Sequence, residues 1–255
     1  MLTLSIHLIG IIVCFMSAMF IIAQIKKDNS IADIAWGIGF VIVAWYSLYY
    51  CNSITARKWV AVILTTIWAL RLSIYIAYRK KGHTEDARYR QWRKSWGNQQ
   101  RLMGFLKVFM LQGFFILLIS TSTIIINCNY QIPLQFSDFL GIFIWLVGFL
   151  FETIADIQLY QFNHRPHAEN SVLTTGLWKY SRHPNYFGET LMWIGLFVVA
   201  LASPYGWIAL ISPVCILAIF FGATIKLTEE QMINNHEYKI YQRTTSIFIP
   251  RKPHQ

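Results

Sequence analysis

Seven apolar runs, at 2–24, 31–51, 59–78, 105–127, 139–159, 190–202 and 205–226, alternate with polar stretches along this chain. Most approach the roughly 20 residues that a helix needs to cross a bilayer. The sixth is short, so its helix either draws the preceding Glu189 into the membrane or sits low and is covered by neighbours. The pattern predicts an all-α polytopic membrane protein of about seven transmembrane helices. With no internal repeat or linker in view, it predicts one integral domain over 1–255, with cytoplasmic loops at about 79–104 and 160–187 and a cytoplasmic tail at 227–255.

Composition agrees with the pattern. A mean hydropathy of +0.43 in 255 residues, 55% of them hydrophobic and 16% aromatic, excludes an ordinary soluble domain. The first run lacks a basic residue before it and a small-residue cleavage site after it, and so reads as a retained helix rather than a secretory signal. With the N-terminus outside and the C-terminus cytoplasmic, nineteen of the 22 Lys and Arg fall in inner segments; only Arg57 and Lys58 lie outside, and Arg71 lies within a run. The formal charge of +10 is then a positive-inside signature, not a nucleic-acid footprint. Cys14, Cys51, Cys128 and Cys215 show no metal or redox spacing and read as small apolar helix residues.

Polar residues at the ends of these runs carry the candidate chemistry, because an ionisable group in a bilayer needs a partner or a hydrated cavity. Ser30 with Asp33 three residues on reads equally as a capping box and as a functional acid. Trp36 reads as an interfacial anchor, and Gly37 as a point of close helix approach. Arg71 and Tyr75 are one turn apart, and Arg71 either snorkels to the basic exit or holds an anion. In the 79–104 loop, Thr84 is placed to cap a short helix on which Tyr89, Trp92 and Trp96 share a face among Arg88, Arg90, Arg93 and Lys94. Such a helix rests on lipid headgroups or offers its cations to a polyphosphate.

Glu152 and Asp156, i and i+4 on one face, predict a polar cavity, since two acids there repel unless paired or hydrated. His164 and His167, with His183 and Glu169, invite a metal reading, but Pro166 breaks the register and no metal is assigned. The densest polar cluster is 177–189, LWKYSRHPNYFGE. Pro184 suits a first helical turn, so Asn185 and Glu189 line one face, with Arg182 just outside for a phosphate or for Glu189. In the tail, Glu230, Asn234, Glu237, Tyr238 and Tyr241 fall near one face. These residues gather at the predicted cytoplasmic ends, which implies a soluble anionic cofactor entering there and a lipid-like substrate arriving through the bilayer. A glycine-rich phosphate loop after a strand is absent from the sequence.

SRHPNYFGE, the ETIAD face trailed by Arg165 and Pro166, the ALRLSIY helix with its GHTED exit, and the tail ending YQRTTSIFIP resemble the bacterial branch of the steroid 5-alpha-reductase-like membrane proteins, over 31–250. The resemblance implies a seven-helix fold that holds NADPH on the cytosolic side of a bacterial inner membrane. It also implies reduction of a carbon–carbon double bond conjugated to a ketone in a lipid-like substrate, a steroid or isoprenoid enone. Carried onto this chain, it places Asn185 and Glu189 near the nicotinamide, with Asp156, Arg71, Tyr75, Arg165, Arg182 and Tyr238 as further cofactor-binding residues. Asp33 matches the region of a Gln-Glu pair near the substrate carbonyl, and so becomes the catalytic residue, a buried acid that hydrogen-bonds the oxygen as enolate charge develops. Trp68 stands where those enzymes offer a tyrosine, and Glu152 where they carry an amide.

Isoprenylcysteine and phospholipid methyltransferases share an Arg-His-Pro-x-Tyr-x-Gly motif and a glutamate pair before the tail, here Arg182 to Gly188 and Glu229 with Glu230. That similarity implies S-adenosylmethionine-dependent methylation of an isoprenoid or phospholipid as the alternative. A non-catalytic lipid-binding protein is the third reading. The expected partners are the lipid-like substrate and membrane lipids, with no nucleic acid and no obligate protein.

Overall fold

The computed structural model describes residues 2–52, 55–81, 84–129, 133–166 and 171–253, and among these the chain is all-helical. The α-helices are α1 (Leu2–Lys26), α2 (Ile31–Tyr50), α3 (Ala56–Lys80), α4 (Ala87–Trp96), α5 (Gln100–Gly104), α6 (Leu111–Ile119), α7 (Thr121–Cys128), α8 (Phe136–His164), α9 (Pro184–Ala200), α10 (Ile211–Ile219), α11 (Ile225–Gln231) and α12 (His236–Thr244). π-Helical turns at Phe105–Met110 and Phe220–Thr224 carry the chain through without a break. Six continuous helical stretches among the described residues are long and apolar enough to cross a membrane, which makes this an integral membrane protein. The seventh candidate, α9, has 17 residues. At ~1.5 Å per residue it is ~5 Å shorter than a ~30 Å hydrocarbon core.

The chain divides into two compact units, Met1–Gln135 with Ala200–Ile211, and Phe136–Val199 with Ser212–Gln255. In the first, α2 and α3 run closely together because Gly37 has no side chain: a Cβ there would lie 2.5 Å from the Ala69 carbonyl oxygen. Ser73 Oγ donates to the Ile34 carbonyl across the same contact (3.0 Å). Phe40 stacks edge-on between Trp36 (5.2 Å) and the buried Trp68 (5.1 Å), so Trp36 serves packing as well as any anchoring. Asn127 Nδ2 donates to Ser47 Oγ (2.8 Å) and the Ala44 carbonyl (3.0 Å), and the Thr65 and Thr123 hydroxyls pair at 3.1 Å. In an apolar medium such bonds tie helices where the hydrophobic effect does not.

One expectation changes at the end of this unit where α2 finishes. Cys51 and Cys128 are joined in a disulfide and are not independent apolar residues; only Cys14 and Cys215 are free thiols. Their 77-residue separation hides the pairing from any local spacing rule. Arg57 and Lys58 are buried near this disulfide end, and Arg57 Nη2 donates to the Pro133 carbonyl (2.9 Å). Cys51→Ser is expected to lower stability by about 2–4 kcal/mol, read as a lower melting temperature and as loss of the reductant-sensitive gel mobility of the wild type.

At the opposite end, the predicted capping box does not form. Ser30 leaves its own helix uncapped and donates from Oγ (2.6 Å) and N (3.0 Å) to Asp28, which is also paired with Lys80. Asp86, not Thr84, caps α4, accepting from the Arg88 N–H at 2.9 Å. Burial pushes the Asp28 carboxyl up, but hydrogen bonds from Lys80 and Ser30 and the Lys80 charge outweigh it and leave it below the ordinary 3.8. A carboxyl lowered on folding stabilises the protein above its unfolded value, and that stability is lost as pH falls through the folded value. Asp28→Asn should therefore lower the melting temperature near neutral pH, and the difference from wild type should shrink as pH falls below 3.8.

In the second unit, α8 and α9 pack antiparallel with their backbones in contact at two points. A Cβ on Gly141 would lie 2.5 Å from the Gly195 oxygen, and one on Gly148 2.5 Å from the Gly188 oxygen. Both pairs are spaced seven residues, so all four glycines fall on facing stripes. Gly188 is packed on the backbone of Glu152, where a Cβ would sit 2.5 Å from the Glu152 nitrogen. Gly188→Ala should cost about 3 kcal/mol through backbone overpacking. Gly10→Ala, where nothing lies within 4 Å, should be neutral in the same thermal melt.

Candidate functional site

In the first unit Asp33 is the centre of a polar cluster built from three helices. Its Oδ1 accepts a hydrogen bond from the Tyr89 hydroxyl and lies 3.4 Å from Gln112 Nε2. Its Oδ2 pairs with Arg88 Nη2 at 3.3 Å. Tyr89 is buried while the Asp33 side chain keeps 21% exposure, so the cluster has one open edge. Arg88 is also held by Asp86 (Nε to Oδ1, 3.1 Å), and Gln112 Oε1 is buried with no hydrogen-bond partner.

The sequence puts Tyr89 on one face with Trp92 and Trp96, for lipid headgroups or a polyphosphate, whereas Tyr89 is buried on Asp33. The three-to-four-residue spacing identified the stripe of α4 but not what it covers. Arg71 and Tyr75 lie on α3, and the Tyr75 ring is covered by Arg79 at 5.7 Å. Arg71 is half-buried.

In the second unit the glycine contact positions the acids. One turn beyond Gly148 comes the buried Glu152, and one turn further Asp156, whose Oδ1 accepts from Asn185 Nδ2 at 3.3 Å. Helix α9 begins at Pro184, as its ring predicts, so Glu189 is buried one turn along from Asn185. Asn185 Oδ1 is buried and has no hydrogen-bond partner. Asp156 and Asn185 thus meet across the α8–α9 contact, with Glu152 and Glu189 buried on the same two helices beside the Gly148–Gly188 approach. The matched seven-residue glycine intervals in the two runs are the sequence signal that would have paired these helices.

Arg182 and Tyr238 meet around Glu229. Arg182 Nε pairs with Glu229 Oε1 at 2.8 Å, His183 Nε2 lies 3.3 Å from the same oxygen, and Gln242 Nε2 donates to Oε2 at 3.1 Å. The Tyr238 phenol also bonds Glu229. Arg182 Nη1 donates to the Gln242 carbonyl (2.8 Å) and its backbone N–H to that of Ser246 (2.8 Å). Tyr241 donates to the Trp178 carbonyl at 2.5 Å, and Ser181 Oγ to that of Phe248 at 2.7 Å. The protein partner of Arg182 is therefore Glu229, where the sequence offers a phosphate or Glu189.

The predicted tail face is interrupted at 232–235, where Asn235 caps a new helix by accepting from the Tyr238 N–H (3.1 Å). Glu230 is exposed while Tyr238 and Tyr241 turn inward. Burial and then neighbouring charge or phenol groups push both tyrosine hydroxyls well above their ordinary value, so they remain protonated donors.

Arg165 is exposed at the end of α8, beside His164, whose ring stacks on Tyr160 at 4.0 Å. His167 and Glu169, which the metal reading invoked, lie outside the described residues.

The family model described as "Protein of unknown function (DUF1295)" matches residues 19–245. An uncharacterised protein of Schizosaccharomyces pombe is 26% identical over 261 residues, spanning 88% of this chain and 73% of its own length. No solved structure matches. With the match extending over all but the two ends, the chain belongs to the DUF1295 family, a family known to include steroid 5-alpha-reductase-like proteins.

Proposed function

We propose that this protein is an NADPH-dependent reductase of a carbon–carbon double bond conjugated to a ketone in a lipid-like substrate, of steroid or isoprenoid type. The observation that supports the reading is the Tyr89 hydroxyl held on the Asp33 carboxylate, with Arg88 on its other oxygen. A phenol held beside a carboxylate has a proton to give to a carbonyl that becomes an enolate and a neighbour through which to recover it. The buried Asn185 Oδ1, beside Asp156 and Glu189, fits the N–H groups of a carboxamide such as that of nicotinamide. Arg71, Tyr75, Arg165, Arg182 and Tyr238 are the remaining cofactor contacts in this reading. Of these, Arg182 and Tyr238 act as a unit organised by Glu229.

Bound NADPH would supply hydride to the β carbon. The Tyr89 O–H turns from Asp33 to the carbonyl oxygen and stabilises the enolate charge, while Arg88 keeps the carboxylate compensated. Tyr89 then gives its proton to the enolate oxygen, the phenolate is reprotonated from water through Asp33 at the open edge of the cluster, and the enol shifts that proton to the α carbon, so the product gains one hydride and one proton. The disulfide supports a cytoplasmic site. Helix α2 runs from the Lys26–Ser30 turn to Cys51, and disulfides persist on the non-cytoplasmic side of a membrane. A bacterial inner membrane with a periplasmic disulfide suits that orientation.

The methyltransferase alternative draws on the Arg182–Glu229 and His183–Glu229 contacts, which unite the two motif segments that it shares with this chain. A non-catalytic lipid-binding role is the third reading. Purified protein supplied with NADPH and a panel of steroid and isoprenoid enones should consume nicotinamide absorbance and yield a saturated ketone two hydrogens heavier. Methyl transfer from S-adenosylmethionine to a lipid, without that consumption, would replace the reductase reading.

A further inference from the structure

We infer that the α4–α5 elbow of the first unit is a docking surface for anionic phospholipid headgroups. The inference is independent of the proposed reaction. Three arginines of this region are already engaged within the protein: Arg88 by Asp33 and Asp86, Arg93 by Glu85 and the Lys27 carbonyl, and Arg90 by Thr84 and the Glu85 carbonyl. They fix the elbow against the α1–α2 turn, where Glu85 also accepts from the Asn29 N–H at 3.0 Å. The cations left exposed are Lys94, Arg101 and Lys107, with Lys27 beside them.

Leu102 and Leu106, one turn apart, stand exposed between Arg101 and Lys107 at 55% and 46%. Trp92 and Trp96 stack at 6.2 Å and are half-exposed. Apolar side chains to enter the acyl boundary, indoles for the interface and ammonium or guanidinium groups at headgroup level are the arrangement of an interfacial anchor. The excess of positive charge makes anionic headgroups its complement. The elbow lies at the end of α2 opposite Cys51, so the basic surface and the disulfide face opposite sides of the membrane.

The test uses full-length protein in neutral detergent, given phosphatidylglycerol or phosphatidylcholine, with retained lipid counted by mass spectrometry after gel filtration. Wild type is expected to retain phosphatidylglycerol preferentially, and to lose the preference in ~1 M salt, where the screening length falls to ~3 Å. K94Q/R101Q/K107Q should bind phosphatidylglycerol roughly 100-fold more weakly, at about five-fold per cation. R243Q/K252Q, which removes exposed tail charges, should bind as wild type does. Equal retention of both lipids by wild type, or an undiminished preference in the triple variant, would overturn the inference. So would displacement of the lipid by equimolar pyrophosphate, which would assign the cations to a soluble polyphosphate. If the triple variant folds poorly, the single variants K94Q, R101Q and K107Q decide the matter: each is expected to bind phosphatidylglycerol about five-fold more weakly, and wild-type binding by all three would overturn the inference.

Discussion

Tyr89→Phe is expected to lower reductive turnover by about 10²–10³-fold, the usual cost of deleting one donor to a developing oxyanion, with little change in NADPH affinity. The substitution removes one hydroxyl and keeps the ring that packs on Trp92 at 5.4 Å, so the fold should persist. Asp33→Asn should fall in the same range. The carboxylate anchors the phenol and balances Arg88, and an amide does neither with the same charge. If the two residues act as one device, Asp33→Asn combined with Tyr89→Phe should be scarcely slower than either alone. Full turnover by either single variant would remove the cluster from the chemistry. Steady-state kinetics on the identified enone, with separate kcat and KM, makes the distinction.

Glu229→Gln is expected to loosen the tail and lower stability by about 3 kcal/mol, the order found when one member of a largely buried ion pair is removed. The Arg182 side chain is only 10% exposed, and would be left with its charge uncompensated by the glutamate that now holds it. Gln242, His183 and Tyr238 lose a shared acceptor at the same time. Thermal melts should show the drop, and limited proteolysis should cut near 232–235 before any other site. Arg182→Lys keeps a charge but not the geometry that reaches both Glu229 and the Gln242 carbonyl, and should restore only part of the stability. An unchanged melt in Glu229→Gln would mean that backbone bonds such as Arg182 N–H to the Ser246 carbonyl hold the tail by themselves.

The apolar runs predict the membrane helices well because a bilayer admits few alternatives, and the ring of Pro184 marks the start of α9. Patterns that need two distant segments are less legible. The Cys51–Cys128 bond, the Arg182–Glu229 pair and the Asp33–Tyr89 contact join residues 77, 47 and 56 positions apart, whereas helical spacing identifies only neighbours within a turn or two. For that reason the sequence offers Arg182 only a phosphate or the nearby Glu189, and leaves Ser30 with Asp33 equally a capping box or a functional group, whereas Ser30 serves the start of α2 through Asp28. The polar face of α8 was legible from the spacing of Glu152 and Asp156. What packs against it was also written in the sequence, as glycines at equal intervals, but only once the two runs are read together.

The central claim, that this chain binds NADPH, is tested most directly by thermal stabilisation of the purified protein with NADPH, NADH and S-adenosylmethionine at equal concentration. A ligand at ~100 times its Kd stabilises the native state by ~2.7 kcal/mol. NADPH should therefore raise the melting temperature by several degrees, more than NADH and far more than S-adenosylmethionine, and Asn185→Ala should reduce the shift. Stabilisation by S-adenosylmethionine with none by NADPH would contradict the account.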